Sequence, residues 1–248
     1  MFKNTKNMGM IVVAAGLGSR LAPHTNDKPK CLVCVNGKPI LWYILKNISE
    51  FHWTRIVIVV GYKKDLIIEY QKTHFPSLEI DFIENTDPKN TGCLDSLMLV
   101  PQTSSIDYWC YTNSDLLLSK KAFERVLFAN QENTIGLKLL KNEGISETIL
   151  QKALVSNNTV KCMDLELDGK YTHEAVGPVK LSYHFFETLR YHWNNPQGNL
   201  PRENRCYSAI GARLGRFALS SILLNNNEWA DINTLEDLAI AQKKILRF

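Results

Sequence analysis

Residues 10–32 of the 248-residue chain read MIVVAAGLGSRLAPHTNDKPKCL. The opening MIVVAA is an unbroken apolar run, which is typical of a strand covered by helices on both faces. Gly16 and Gly18 follow, and without side chains they let a bound group approach the backbone, so that successive N–H groups can point at phosphate oxygens. Arg20 and Lys30 then add mobile positive charge. The stretch predicts a buried strand that ends in a polyphosphate-binding loop.

The rest of the first half alternates short apolar runs with helical patterns. This alternation is typical of a parallel sheet built from βαβ units. The predicted strands are 10–15, 55–60, 79–84 and 108–112, and the predicted helices are 39–51, 64–74 and 94–100.

The second half is less regular, and the short spacing between its apolar runs indicates antiparallel pairs. The predicted strands there are 134–140, 153–155, 160–167 and 175–181, the predicted helices are 183–193 and 234–246, and an Asn-, Pro- and Gly-rich loop at 194–205 is a candidate lid. We therefore expect an α/β fold, with a mostly parallel mixed sheet flanked by helices and a smaller second lobe. One domain, 1–248, would comprise a first half (about 8–118), a second half (about 119–233) and a closing helix (234–248).

Composition narrows the function. The net charge is only +4, and its cations form no dense run, so general nucleic-acid binding is not expected. The leading apolar run is too short for a signal peptide or a membrane span, which predicts a cytoplasmic protein. Among six cysteines only Cys31 and Cys34 have motif spacing, and they lack a second ligand pair, so we expect a structural role for them.

The segment AAGLGSR, followed ten residues later by Lys30, resembles the nucleoside-triphosphate transferases that make nucleotide sugars and CDP-alcohols. It is neither a dinucleotide fingerprint, because the third glycine is missing, nor a Walker loop. The resemblance implies a Rossmann-like nucleotidyltransferase fold, with Arg20 and Lys30 as catalytic groups that stabilise the transition state. It also implies that the nucleotide is bound by Ala14, Ala15, Gly16, Gly18 and Ser19.

Two acidic segments indicate a Mg²⁺ site. In YTNSDLLLS, Asp115 ends an apolar strand, where open α/β sheets bind ligands and where a hard oxygen ligand suits Mg²⁺. In NEWADINTLEDLAIA, Asp231 and Asn233 precede a helix, and alternate residues of an extended segment point the same way. This segment resembles the family's Glu-x-Asp pattern, from which it departs at both positions. Asp115, also taken as catalytic, would share the metal with Asp231 and Asn233.

By the same resemblance, the VVGYKKD turn and the NTGCLDSL segment would line the base pocket. The residues assigned there are Gly61, Tyr62, Asn90, Thr91, Gly92 and Ser96. The N-x-G-x-x-x-S-L arrangement is more similar to the CTP:phosphocholine cytidylyltransferase branch than to the hexose-1-phosphate branch. In AVGPVKLS, Gly177 would admit the acceptor and Lys180 would meet its phosphate.

These patterns predict a cytidylyltransferase that moves CMP from CTP to a small phosphorylated acceptor and releases pyrophosphate. Phosphocholine and phosphoglutamine are equally admissible acceptors, and the product would serve surface polysaccharide or lipid decoration. The expected partners are CTP and this acceptor, with neither nucleic acid nor membrane, and the oligomeric state stays open. One alternative is a sugar-1-phosphate nucleotidyltransferase that uses UTP, dTTP or GTP. Another is a catalytically silent nucleotide-binding regulator.

Overall fold

A computed structural model describes residues 4–101, 103–140, 151–164, 171–196 and 205–244. The strands are β1 (Asn4–Ala14), β2 (Cys34–Val35), β3 (Lys38–Pro39), β4 (His52–Val60), β5 (Asp81–Glu84), β6 (Tyr108–Asn113), β7 (Leu116–Leu118), β8 (Thr134–Leu139), β9 (Lys152–Ser156), β10 (Thr159–Asp164), β11 (His173–Ser182), β12 (Ser220–Leu223) and β13 (Trp229–Asp231). The helices are α1 (Ile40–Ile48), α2 (Lys64–His74), α3 (Cys93–Met98), α4 (Lys120–Leu127), α5 (Tyr183–Asn194), α6 (Cys206–Gly211) and α7 (Leu235–Lys243).

The described strands build a nine-stranded mixed sheet in the order β5-β4-β1-β6-β11-β8-β12-β10-β9. The four strands β5, β4, β1 and β6 are parallel to one another. Strand β11 then runs antiparallel to both β6 and β8, and β10 runs antiparallel to β12 and β9. The predicted α/β class, with a mixed sheet flanked by helices, agrees with this architecture, but the sheet is not mostly parallel: outside β5, β4, β1 and β6, only β8 and β12 pair in parallel among the described strands. The second lobe continues the same sheet rather than forming a separate one.

Strand β1 alternates its side chains between two hydrophobic cores. Met10 and Val12 pack in one core with Leu41 of α1, while Ile11 packs in the other with Leu97 of α3. All five side chains are fully buried. Because successive strand residues point to opposite faces, an unbroken apolar run is required where helices cover both faces.

Several elements differ from the prediction. Strand β1 begins at Asn4 rather than Met10, because polar Asn4 and Thr5 still pair with β4 before a register shift ahead of Gly9. Asn7 lies within that irregular stretch with φ 62°. Helix α4 was not predicted, although Ser119 caps it by accepting a hydrogen bond from the Ala122 amide. The short elements β7, α6, β12 and β13 were also missed.

A separate two-stranded pairing joins distant parts of the chain. Strand β13 runs antiparallel to β7, with Asp231 opposite Leu116 and Trp229 opposite Leu118. The Ile232 amide also donates to the Asp115 carbonyl at 3.1 Å. These bonds bring the segment before α7 to the end of β6.

Three predictions extend beyond what can be compared. Most of the candidate lid at 194–205 lies outside the described residues, as do 165–167 of the predicted strand 160–167 and the last residues of the predicted closing helix. In the described ranges, no helix combines the length and the apolarity that crossing a membrane requires.

Gly136 of β8 lies where β11 bulges, and it offers a test of the packing. A Cβ at this position would lie 2.2 Å from the Gly177 carbonyl oxygen, so Gly136→Ala forces the backbones apart. We expect a loss of about 1–3 kcal/mol of stability, the usual effect of overpacking. Thermal unfolding measures it. Gly215→Ala is the matched control, because a Cβ there meets nothing within 4 Å. Equal melting temperatures for the two variants would contradict the packing.

Candidate active site

The glycine-rich loop after β1 turns sharply towards Lys30. Gly18 has φ 67°, in the left-handed region that favours glycine. Its carbonyl accepts hydrogen bonds from the Leu21 amide and the Thr25 hydroxyl, both at 2.9 Å. A Cβ on Gly18 would lie 2.8 Å from the Lys30 Cβ. Glycine at this position therefore sets the turn and also leaves room for the Lys30 side chain.

Lys30 pairs with the end of β6. Its Nζ donates to Asp115 Oδ2 at 2.6 Å and to Asn233 Oδ1 at 2.9 Å. The two side chains of the ion pair are 13% and 21% exposed, so water screens the pair less than it would a surface pair. Residues far apart in the sequence thus meet at one ammonium group.

Asn233 connects this pair to two further charges. Its Oδ1 also accepts a hydrogen bond from Arg20 Nη2 at 2.9 Å, and its Nδ2 donates to Asp231 Oδ2 at 2.7 Å. The backbone N–H of Asn233 donates to the Asp237 carboxylate. Asp237 also forms a capping box with Thr234 at the start of α7. The cap holds the asparagine at the helix entrance. The structure therefore brings all five predicted catalytic and metal residues into one network.

Asp231 carries its negative charge less readily than an ordinary aspartate does. Burial of its carboxyl group, together with the like charge of Asp115, raises its pKa to about 7. The residue as a whole is exposed. The repulsion is partly offset by Lys30, which lowers the pKa. Two carboxylates held close together favour any cation that enters between them.

Four residues of the network line a cleft of about 350 Å³ at the carboxyl ends of β1, β5 and β6, whereas Asp231 does not line it. Eleven predicted site residues line it: Ala15, Gly16, Gly18, Ser19, Arg20, Lys30, Thr91, Gly92, Ser96, Asp115 and Asn233. The prediction missed six lining residues: Val13, Asn85, Pro88, Cys93, Asn113 and Ser114.

Asn85 organises the part of the cleft opposite the charged network. It is buried, and its Nδ2 donates to Thr91 Oγ1 at 2.8 Å and to Ser96 Oγ at 2.9 Å. Its Oδ1 accepts from the Asp87 amide. Asn85 directly follows β5, so the strand-end rule that identified Asp115 also identifies Asn85.

Three residues predicted for the base pocket have other contacts. Gly61 lies behind the loop, where a Cβ would be 2.7 Å from the Ala15 carbonyl oxygen. The Tyr62 hydroxyl donates to the Asn26 carbonyl at 3.0 Å, which ties two loops together. Asn90 is exposed, and its Nδ2 donates to Asp87. None of the three lines the cleft, so we correct their assignment to supporting the loops around it.

The two residues predicted to bind the acceptor, Lys180 and Gly177, lie in different places. Lys180 is buried, and its Nζ donates to the carbonyls of Leu127 and Ala129 beside the end of α4. It cannot reach the cleft from there, so its assignment to the acceptor phosphate is wrong. Gly177 has φ 87°, and a Cβ built on it would lie 3.5 Å from the Leu116 side chain. It stays next to the strand that follows Asp115. Ala14 is buried in the core and does not line the cleft.

The oxygen atoms near Asp115 suit Mg²⁺. Asp115 and Asp231 supply carboxylates and Asn233 supplies an amide oxygen, and Mg²⁺ commonly takes one or two protein carboxylates while phosphates and water complete its shell. Among the residues that the structure describes, no three or more His, Cys, Asp or Glu side chains cluster as a complete metal site. A set of two carboxylates and one amide oxygen fits a metal that arrives with phosphate ligands.

Comparison with known proteins agrees with this geometry. Residues 10–150 match the MobA-like NTP transferase domain family. The chain is 28% identical to the bifunctional protein GlmU of Methanococcus vannielii over 97% of its length, which is 55% of that protein. It is 36% identical to the UTP--glucose-1-phosphate uridylyltransferase AglF of Haloferax volcanii, over 41% of each chain. The chain thus spans about half the length of these curated relatives.

Solved structures share the fold. The CTP:phosphocholine cytidylyltransferase LicC of Streptococcus pneumoniae superposes with a TM-score of 0.74, over 96% of this chain and 98% of its own, at 20% identity. The expected fold class is confirmed by this likeness, and the resemblance based on residues 14–30 is confirmed by the family match. The chain belongs to the MobA-like NTP transferase family.

Proposed function

We propose that this protein is a Mg²⁺-dependent nucleotidyltransferase that moves CMP from CTP to a small phosphorylated acceptor. One observation carries the proposal: Lys30 pairs with Asp115, and Arg20 and Lys30 meet at Asn233, beside a glycine loop at the end of a parallel strand. Cations beside bare backbone amides form a site for a polyphosphate. The adjacent carboxylates are suited to a divalent cation.

The chemistry follows from this layout. A phosphate oxygen of the acceptor attacks the α-phosphorus of CTP, forming a new P–O bond as the bond to the β-phosphate bridging oxygen breaks. No covalent intermediate on the protein is required, because a phosphate monoester is already ionised at neutral pH. Lys30 neutralises charge at the α-phosphate and Arg20 at the departing pyrophosphate. Catalysis then comes mainly from positioning and electrostatic stabilisation.

Asp115, Asp231 and Asn233 would hold the metal. When bound, Mg²⁺ neutralises phosphate charge and aligns the triphosphate. Lys30 now donates to two of the proposed ligands, so phosphate binding would redirect its ammonium group from those oxygens towards the substrate. The lysine is anchored within reach of both positions.

The base would lie against Asn85, Thr91 and Ser96. The two hydroxyl groups are held by the buried Asn85 amide, which makes this wall of the cleft rigid and polar. Two observations support CTP as the nucleotide. The N-x-G-x-x-x-S-L arrangement resembles that of the CTP:phosphocholine cytidylyltransferase branch, and the fold is similar to that of LicC. A second candidate is transfer of UMP from UTP to a sugar 1-phosphate. The similarity of this chain to the uridylyltransferase AglF favours it.

The acceptor would bind on the Gly177 side of Asp115, beside Leu116 of β7. The product would be an activated, CDP-linked building block for surface polysaccharide or lipid decoration, made in the cytoplasm. Pyrophosphate release, measured with CTP, UTP, dTTP and GTP against phosphocholine, phosphoglutamine and glucose 1-phosphate, tests the proposal. A silent regulator would be stabilised thermally by nucleotide and would release none.

Removal of the two cations should affect turnover most. We expect Lys30→Ala to lower kcat by at least about a hundredfold, as loss of an electrostatic contact at the reaction centre does. Arg20→Ala should act similarly, and Arg20→Lys should recover only part of the rate because an ammonium lacks the guanidinium fork. Lys121→Ala, an exposed lysine on α4, is the control. Unchanged kcat in Lys30→Ala would exclude its catalytic role.

Base choice gives a second prediction. We expect kcat/KM for CTP to exceed that for UTP by at least about tenfold, because a pocket that hydrogen-bonds one exocyclic group leaves polar atoms unpaired with the other. Competition between the two nucleotides with one acceptor measures the ratio. A preference for UTP with glucose 1-phosphate would transfer the protein to the sugar-nucleotide branch.

Asn233→Asp tests the metal site without assaying turnover. The new carboxylate cannot donate to Asp231, so two negative groups would face each other across a bond that is now 2.7 Å long. We expect a lower melting temperature without metal, and a larger rise on addition of MgCl₂ than the wild type shows. Asn226→Asp makes the same charge change in an exposed turn and is the control. Equal MgCl₂ responses in all three proteins would remove this segment from the metal site.

A further inference from the structure

Two cysteines meet at the rim of the cleft. The sulfur atoms of Cys93 and Cys206 are 2.7 Å apart, although 113 residues separate them in sequence. A covalent disulfide is about 2.0 Å long, so a small movement of the side chains joins them. Both are present as free thiols. Cys93 begins α3 and lines the cleft, while Cys206 begins α6.

The two thiols have different surroundings. Cys93 is half-buried, and its thiol donates to Asn113 Oδ1 at 3.4 Å. Cys206 is 4% exposed. Burial raises the pKa of Cys206 well above its usual range, and the neighbouring Cys93 thiol raises it further. A small oxidant therefore reaches Cys93 first. Cys206 is the buried thiol that contacts Cys93 and can react with it afterwards.

We propose that Cys93 and Cys206 form a reversible thiol–disulfide modification site at the nucleotide cleft. The oxidant class is a small disulfide, RSSR. The Cys93 sulfur attacks one sulfur of RSSR, its proton passes to the departing RS⁻, and RSH leaves. Cys206 then attacks the Cys93 sulfur, gives up its proton, and expels the second RSH. Two thiols are oxidised and one small disulfide is reduced to two thiols, so electrons and protons balance.

The bond would connect helix α3, which lines the cleft, to helix α6. Helix α3 carries Ser96 of the proposed base wall. Helix α6 carries Tyr207, whose hydroxyl donates to the Val176 carbonyl at 3.2 Å and lies 2.8 Å from a Cβ built on Gly177. Oxidation also removes the Cys93 hydrogen that Asn113 Oδ1 accepts. This effect on substrate sites rests on the proposed function, whereas formation of the disulfide does not.

Incubation of the folded protein with glutathione disulfide tests the site. After free thiols are alkylated, non-reduced peptide mapping should show a linked Cys93–Cys206 peptide pair and the loss of two of the six thiols, both reversed by dithiothreitol. Cys34→Ala, which removes an exposed cysteine, should give the same product. A stable glutathione adduct on Cys93 of the wild type, or free Cys93 and Cys206 after oxidation of Cys34, would overturn the proposal.

Single variants separate the two steps. In Cys206→Ala, Cys93 should retain glutathione because the second thiol is missing. In Cys93→Ala, Cys206 should stay unmodified because its entry point is lost, and this variant serves if Cys206→Ala does not fold. Glutathione on Cys206 in Cys93→Ala would refute the order of attack. Peptide mapping requires no turnover, so a protein that forms the disulfide but releases no pyrophosphate in its reduced form would contradict only the proposed function.

Discussion

Strand β1 is hydrogen-bonded to parallel strands on both sides, and this pairing determines where the polar groups of the cleft lie. Val13 is opposite Val59 of β4 and Asn113 of β6, so the ends of three strands lie at one level. Parallel strands present their carboxyl ends at the same edge of the sheet. The glycine loop after β1 and Asp115 after β6 therefore meet without any long-range signal in the sequence.

The C-terminal segment completes the site because β13 pairs with β7. Asn233 has a neutral side chain where the resemblance to the nucleotidyltransferases implies a carboxylate, and the structure gives this difference a physical meaning. An amide can accept from Arg20 and Lys30 through its oxygen while it donates to Asp231 through its nitrogen. A carboxylate could perform only the first task. The asparagine thus binds two cations and one anion without adding charge.

Local patterns predicted the parts of the fold that depend on local physics. The β1 run, the turn at Gly18 and the strand-end position of Asp115 follow from apolar periodicity and glycine geometry. Lys180 could not be predicted correctly, because the register of β11 shifts between Ala175 and Val179, and such a shift changes which face later side chains occupy. Asn85 was missed for a different reason: the strand-end rule was applied to a carboxylate and not to an amide. Cys93 and Cys206 come together only through tertiary packing.

The network around Asn233 has a consequence for selectivity among anions. Lys30 is already paired with the Asp115 carboxylate, and both Lys30 and Arg20 donate to the Asn233 amide oxygen. A simple anion that enters must break these contacts and leaves Asp115 without its counterion, so its net binding free energy is small. Under the proposed function, a triphosphate that carries its own divalent cation would exchange partners instead: the metal would take over the carboxylates and the phosphates would take over the two side-chain cations. The resting cleft would thereby discriminate against free phosphate by ion exchange rather than by shape.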